Sequence, residues 1–146
     1  ILTVINLYDR SVVASITDRS ITSDLAIRTV RKALDSQSGT LQGIILHSDQ
    51  GITYTNRVFG DLLSQLKVTQ SMSKKGCPYD NSPMENFWGT LKVEKLNRLH
   101  RKPKNIKELK EIIEEYIEFY MNIRKNSKLN YLTPLQYYDN YIQRNN

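Results

Sequence analysis

The chain has 146 residues, which suits one domain with a real core, and it carries 21 Lys and Arg against 15 Asp and Glu for a formal charge of +6. That balance favours a polyanionic partner, nucleic acid ahead of membrane. A single Cys77 excludes an internal disulfide framework and fits a reducing cytosol, the absence of a CxxC or His/Cys cluster argues against structural zinc, and no apolar run reaches membrane-spanning length. The first residues are Ile1-Leu2 rather than Met, which reads as a start inside a structural element of a longer protein.

"ILTVINLY" (1–8) and "SVVASIT" (11–17) are rich in β-branched residues and read as two strands joined at Asp9-Arg10 in a hairpin. Thr22 or Ser23 caps a helix whose apolar positions are Leu25, Ile27, Val30, Ala33 and Leu34, and "SQSGT" (36–40) ends it. "GIILH" (43–47) is short and almost uniformly apolar, as in a strand covered on both faces. Thr55 or Asn56 caps a second helix with Val58, Phe59, Leu62, Leu63 and Leu66 facing inward, and "KVTQSM" (67–72) is the last strand. A loop follows over 73–83, then a helix with Pro83 in its first turn that runs to about Leu96. "RKPKN" (101–105) breaks the chain. Residues 106–124 form an amphipathic helix on the stripe Ile106, Leu109, Ile112, Ile113, Tyr116, Ile117 and Tyr120, and a short final helix starts near Pro134. The order implies an α/β fold with a mixed sheet flanked by helices.

Two carboxylates stand out. Asp49 follows an apolar strand, the position where open α/β sheets carry their chemistry, although Asp and Gly are also ordinary turn residues. Glu85 lies in the first turns of the helix after the loop, thirty-five residues further on. Lys92 is seven residues beyond it, two turns along the same face, and Gly89 leaves the space between them open. An acid, a gap and a base on one face suit a phosphate backbone and its metal; a surface helix with scattered charges accounts for the same pattern. Carboxylate oxygens are natural ligands for Mg²⁺, and two such ions can activate a nucleophile and stabilise a leaving oxygen.

The blocks "HSDQGITYTN", "QSMSKKGCPYDNSPMENFWGTLK" and "NYLTPLQYY" resemble the catalytic core of insertion-sequence transposases of the retroviral-integrase superfamily, the Asp-Asp-Glu enzymes, across nearly the whole chain. The resemblance implies a ribonuclease-H-like fold whose first strand is missing here, with residues 1–100 as the integrase-type core and 101–146 as a helical extension of the same domain. It implies DNA strand cleavage and strand transfer with two Mg²⁺ or Mn²⁺ ions in the complete protein, in the bacterial cytoplasm, on DNA, as a homo-oligomer and away from membranes. By resemblance, Asp49 is the second acid and Glu85 the third, both metal ligands, and Lys92 contacts DNA near the scissile phosphate. His47, Ser48, Gly51 and Tyr54 fall on motif positions around Asp49, and Gly76, Asp80 and Asn81 on the loop before Glu85. The first acid falls upstream of Ile1; Asn6 is not its equivalent, and Asp9 sits too late in the hairpin to replace it. In "FYMNIRKNSKL", Met121 stands at an Asn position and Asn126 at a His position, while Arg124 keeps the family residue.

Blander roles compete at each position. His47 is expected to be a structural histidine bonded to backbone rather than a metal ligand. Asp80 is expected to cap the next helix, with loop bracing as the alternative. Phe87, Trp88 and most of the nine tyrosines are assigned to helix packing, and Cys77 is a small loop residue. Lys74, Lys75, Lys92, Lys95, Arg98, Arg101, Lys102 and Lys104 form a basic arc that reads as a DNA track. The leading expectation is a metal-dependent transposase core, inactive as this stretch alone. The alternatives are a DNA-binding remnant without chemistry and a generic ribonuclease-H-like nuclease.

Overall fold

The structure, a computed structural model, describes residues 1–37, 42–74 and 78–145, with the side chains of residues 78 and 79 left aside. The expectations for Lys75, Gly76 and Cys77 lie outside the described residues. The chain is mixed α/β. Its strands are β1 (Leu2–Ile5), β2 (Val12–Ile16), β3 (Ile45–Ser48) and β4 (Thr69–Met72). Its helices are α1 (Ser23–Asp35), α2 (Ile52–Thr55), α3 (Arg57–Gln65), α4 (Ser82–Glu94), α5 (Ile106–Asn122) and α6 (Pro134–Asn145), with 3₁₀ turns at Pro78–Asn81, Leu96–Arg98 and Ser127–Leu129. Two compact units arise: Ile1–Val4 with Ala14–Asn86, and Ile5–Val13 with Phe87–Asn146.

In the first unit, local polar signals set the helix starts. The Thr22 hydroxyl accepts the Leu25 N–H, and the Asn56 amide oxygen accepts the Phe59 N–H, so each satisfies a donor that the helix itself cannot. Asn56 also donates to Ser23 Oγ at 2.9 Å, which ties the start of α3 to the start of α1. Between them α1 and α3 bury Leu25, Ala26, Val30, Leu34, Phe59 and Leu63 in one core with Leu2 and Val68, and Val4, Ile16 and Leu46 pack on it from the strands, with Ile44 just before β3. Each such large side chain contributes about 1.5–3 kcal/mol relative to exposure.

The strands form two two-stranded sheets, β1 with β2 and β3 with β4, rather than one mixed sheet. β3 and β4 are parallel, in the register Ile45↔Thr69 to Ser48↔Met72. Two expectations about apolar faces fail. Ile45 is 66% exposed and Val58 65% exposed, because only Leu46 on β3 with Ile44 just before it, and Phe59, Leu62 and Leu63 on α3, point at the core. A uniformly apolar strand therefore keeps one open face. The short helix α2, absent from the sequence reading, closes on Gly51, whose carbonyl accepts the Tyr54 and Thr55 N–H groups.

In the second unit the hairpin turn is closed by Asp9, whose carboxylate accepts the Ser11 N–H at 2.8 Å and is 2% exposed, while Arg10 adopts a left-handed φ of 62°. Asn6 accepts the Tyr8 N–H. Both side chains are thus consumed by the turn. Asn105 caps α5 by accepting the Glu108 N–H, and the helix buries Ile113, Tyr116 and Tyr120 of the expected stripe. Thr133 and Gln136 cap α6 reciprocally: Thr133 Oγ1 accepts the Gln136 N–H, and Gln136 Oε1 accepts the Thr133 N–H.

Candidate active site

Asp49 stands just past β3, exposed, with its carboxylate held by one short local bond: Gly51 donates its N–H to Oδ1 at 2.8 Å. This explains the glycine. A Cβ added at Gly51 would lie 2.8 Å from the same Oδ1, closer than such atoms approach, while the φ of −59° would suit any residue. Gly51 needs no special backbone conformation; a Cβ there would displace the Asp49 carboxylate.

The segment around Asp49 is stitched to the end of β4. His47 Nδ1 lies 2.9 Å from Ser71 Oγ and Nε2 3.0 Å from Ser73 Oγ. Ser73 donates its N–H to the Ser48 carbonyl, and Gln50 donates its amide to the Ser73 carbonyl at 3.0 Å. The buried Ser48 hydroxyl donates to the Asp49 carbonyl. Both His47 ring nitrogens thus meet serine hydroxyls, where a bond to backbone was expected. Tyr54 packs edge-on against Phe59, and its phenol is pushed above the ordinary value, first by burial and then by the charge of Asp49. The end of β3 is thus exposed at one carboxylate and hydrogen-bonded around it.

Asp80 braces the loop. Its carboxylate accepts the Lys74 backbone N–H at 3.1 Å, where the sequence suggested a helix cap first. Asn81 ends the 3₁₀ turn that leads into α4, half-buried. Glu85 follows in the first turn of α4, exposed. Gly89, one turn on, would meet nothing within 4 Å if it carried a Cβ, so the helix face beyond Glu85 is open. Lys92, in the last turn of α4, is exposed. Asp49 and Glu85 both belong to the first unit.

Against this geometry, the sequence matches the Integrase core domain family twice, over residues 1–78 and over residues 66–134. The chain belongs to the integrase core domain family. It is 37% identical to a 31 kDa protein of insertion element IS600 from Shigella sonnei, over 94% of this chain and 50% of the relative. It is 37% identical to the putative transposase InsK for IS150 of Escherichia coli, over 92% of this chain and 46% of the relative. The chain therefore spans about half the length of the curated relatives it matches. Among solved structures it superposes on a chain of a simian T-cell lymphotropic virus intasome in complex with PP2A regulatory subunit B56 gamma, with TM-score 0.75 and 15% identity, over 92% of this chain and 46% of that one.

Asp49 and Glu85 each offer carboxylate oxygens, the donor type that Mg²⁺ or Mn²⁺ takes. Both His47 nitrogens face serine hydroxyls. Among the described residues no group of three or more His, Cys, Asp or Glu side chains is assembled around a metal position. No helix among them is long and apolar enough to cross a membrane.

The basic arc of the integrase core is uneven. Lys74, Lys92 and Arg98 are exposed and form no ion pair among the described residues. Lys95 is paired with Glu115 at 2.8 Å, and Arg101 grips Glu108 with two nitrogens, holding that carboxyl down at about 2 with help from the Lys104 N–H. Sequence reasoning missed the pair behind the end of α4. Arg124 engages both oxygens of Glu94, Nε to Oε2 and Nη2 to Oε1 at 2.8 Å each, and Tyr116 donates its hydroxyl to Glu94 Oε2 at 3.0 Å. This gives Arg124 a clear role: it fixes the helix that carries Lys92. The departures nearby are accommodated locally. Met121 Sδ accepts the Val12 N–H at 3.1 Å, and Asn126 caps the Ser127–Leu129 turn.

Proposed function

We propose that this chain is the catalytic core of a transposase that cleaves and joins DNA phosphodiesters, on a ribonuclease-H-like fold. The observation that carries the reading is Asp49, exposed beyond β3 and aimed by the Gly51 N–H, in a chain of the integrase core domain family. The insertion-element transposases among its relatives support DNA as the substrate.

Asp49 and Glu85 are the residues assigned to hold divalent metal. Bound Mg²⁺ or Mn²⁺ would supply nucleophile activation and leaving-group stabilisation. The chain's own contribution is positional. The Gly51 N–H holds one Asp49 oxygen and the His47–Ser71–Ser73 stitch holds the strand end before it; Lys92, a separate assignment on α4, is given to the phosphate backbone. Lys74, Lys75, Lys95 and Arg98 are assigned to the DNA track, with Lys95 sharing its charge with Glu115. The water or DNA 3′-hydroxyl that attacks needs no side-chain nucleophile. A homo-oligomer working on DNA ends fits the likeness to an intasome chain.

A second reading, a DNA-binding remnant without chemistry, is favoured by the lack of a three-acid cluster among the described residues. One experiment separates them. In a protein that carries this chain at the length of its relatives, Asp49→Ala or Glu85→Ala is expected to abolish strand cleavage while DNA binding persists, and Lys92→Ala to lower the salt slope of binding by about 1. Cleavage retained by both carboxylate variants would defeat the assignment, and a longer protein that binds but never cleaves would support the remnant.

A further inference from the structure

Most tyrosines of the second half do not do what helix packing requires. Tyr116 and Tyr120 are buried, but Tyr131 is 70% exposed, Tyr138 45% and Tyr141 44%, and Tyr8 of the hairpin turn is 52% exposed. Tyr137 and Tyr141 lie one turn apart on the same face of α6, and Tyr8, in the hairpin turn, sits against both. Ring centroids are 5.4 Å apart for Tyr8 and Tyr137 and 5.1 Å for Tyr8 and Tyr141, the rings tilted by 54° and 66°. The three rings line a cleft whose other polar walls are Asn130, Asn140 and Arg144. α6 buries only Pro134 among its described residues, so this is an aromatic surface in water and not a core.

The chemistry of the walls selects an occupant. Half-exposed aromatic rings offer flat apolar area with a polar tip. Asn side chains carry a donor and an acceptor side by side, matching the edge of a nucleobase. Arg144 adds a guanidinium suited to a phosphate. Residues 125–145 hold Lys125, Lys128 and Arg144 against one carboxylate, Asp139, so the surroundings are cationic. A purely apolar peptide would leave the two amides and the guanidinium unpaired.

We propose that the Tyr8–Tyr137–Tyr141 cleft takes one unstacked nucleobase of a DNA strand, its face on the tyrosines, its edge at Asn130 or Asn140 and its phosphate at Arg144. The inference rests on the DNA reading given above for the choice of polymer, and adds a single-strand site to it. Stacking on aromatic rings tolerates every base, so the site holds an unpaired nucleotide without reading sequence.

The test compares two fluorescently labelled single strands of equal length and charge, oligo-dT and an abasic strand, binding to the 146-residue chain. The chain is expected to hold oligo-dT about tenfold more tightly. Tyr8→Leu with Tyr141→Leu should bring that ratio near one with the circular dichroism spectrum unchanged. Tyr141→Leu alone, on the exposed face of α6, repeats the test independently of the hairpin and should lower the ratio. Arg144→Gln should weaken both strands alike and reduce the salt slope. Equal binding of the two strands by the unaltered chain overturns the cleft, as does a preference that survives Tyr141→Leu. Neither result touches the carboxylate assignment, which is read by strand cleavage.

Discussion

Replacing Gly51 by Ala tests whether the aim of Asp49 matters more than its presence. The added methyl would lie 2.8 Å from Asp49 Oδ1, so the carboxylate must retreat by roughly half an ångström to reach ordinary contact distance, and it loses the 2.8 Å bond from the Gly51 N–H as it turns. The backbone pays nothing, because φ −59°, ψ 144° is open to alanine. Asp49 is exposed, so water replaces the lost donor and the net cost is about 1 kcal/mol. Stiffening the unfolded chain returns about 0.4–1 kcal/mol. Stability should therefore change by no more than about 1 kcal/mol, a shift of a few degrees in melting. Catalysis should suffer far more, since misplacing a reacting group by an ångström can cost about a hundredfold. The assay is strand cleavage by a protein that carries this chain at the length of its relatives, alongside a thermal melt of the same preparation. Wild-type cleavage by Gly51→Ala, in a protein that Asp49→Ala inactivates, would refute the idea that Gly51 sets the carboxylate. A loss above about 3 kcal/mol would show instead that the turn holds up the fold.

Arg124→Ala should cost about 1–2 kcal/mol, because it strands the half-buried Glu94 carboxylate, and it should flatten the acid limb of the stability curve. The sign follows from Glu94, which Arg124, aided by the Tyr116 hydroxyl, holds below its ordinary 4.5: the stabilisation is complete above that value and is lost as pH falls through the lower folded value. Urea titrations of both proteins between pH 7 and pH 3 should therefore converge at the acid end; parallel curves would exclude the pair as the source. Gly89→Ala should stabilise α4 by about 0.5–1 kcal/mol, since its Cβ meets nothing, and should weaken DNA binding if a phosphate backbone passes that face. Unchanged binding in a filter or anisotropy assay would remove Gly89 from the DNA face.

Helix starts were legible because their causes are local. Thr22 and Asn56 precede apolar periods, and one side-chain oxygen accepting one N–H fixes each. The α5 stripe was legible for the same reason: its spacing alone decides that Ile113, Tyr116 and Tyr120 share a buried face. The division into two two-stranded sheets was not, since strand pairing depends on partners far along the chain. Nor could composition tell that Ile45 and Val58 would face water. At the candidate site, Asp49 and Gly51 could be picked out together, but the reason for the glycine, a close approach of two side-chain positions, needed coordinates. Glu94 and Arg124 lie thirty residues apart on different helices, and no spacing rule links them.

β3 has a strand partner on one side only among the described residues. In its parallel register the Ile44 and Ser48 carbonyls accept N–H groups from Thr69 and Ser73, so the alternate residues Ile45 and His47 turn their peptide groups the other way. The strand that delivers Asp49 should then behave as a two-speed ladder in deuterium exchange: slow at Leu46 and Ser48, fast at Ile45 and His47. If a further strand docks along that edge, the two fast amides should slow together while the slow pair hardly changes. Exchange rates at four consecutive residues would thus report whether the platform beneath the carboxylate is complete.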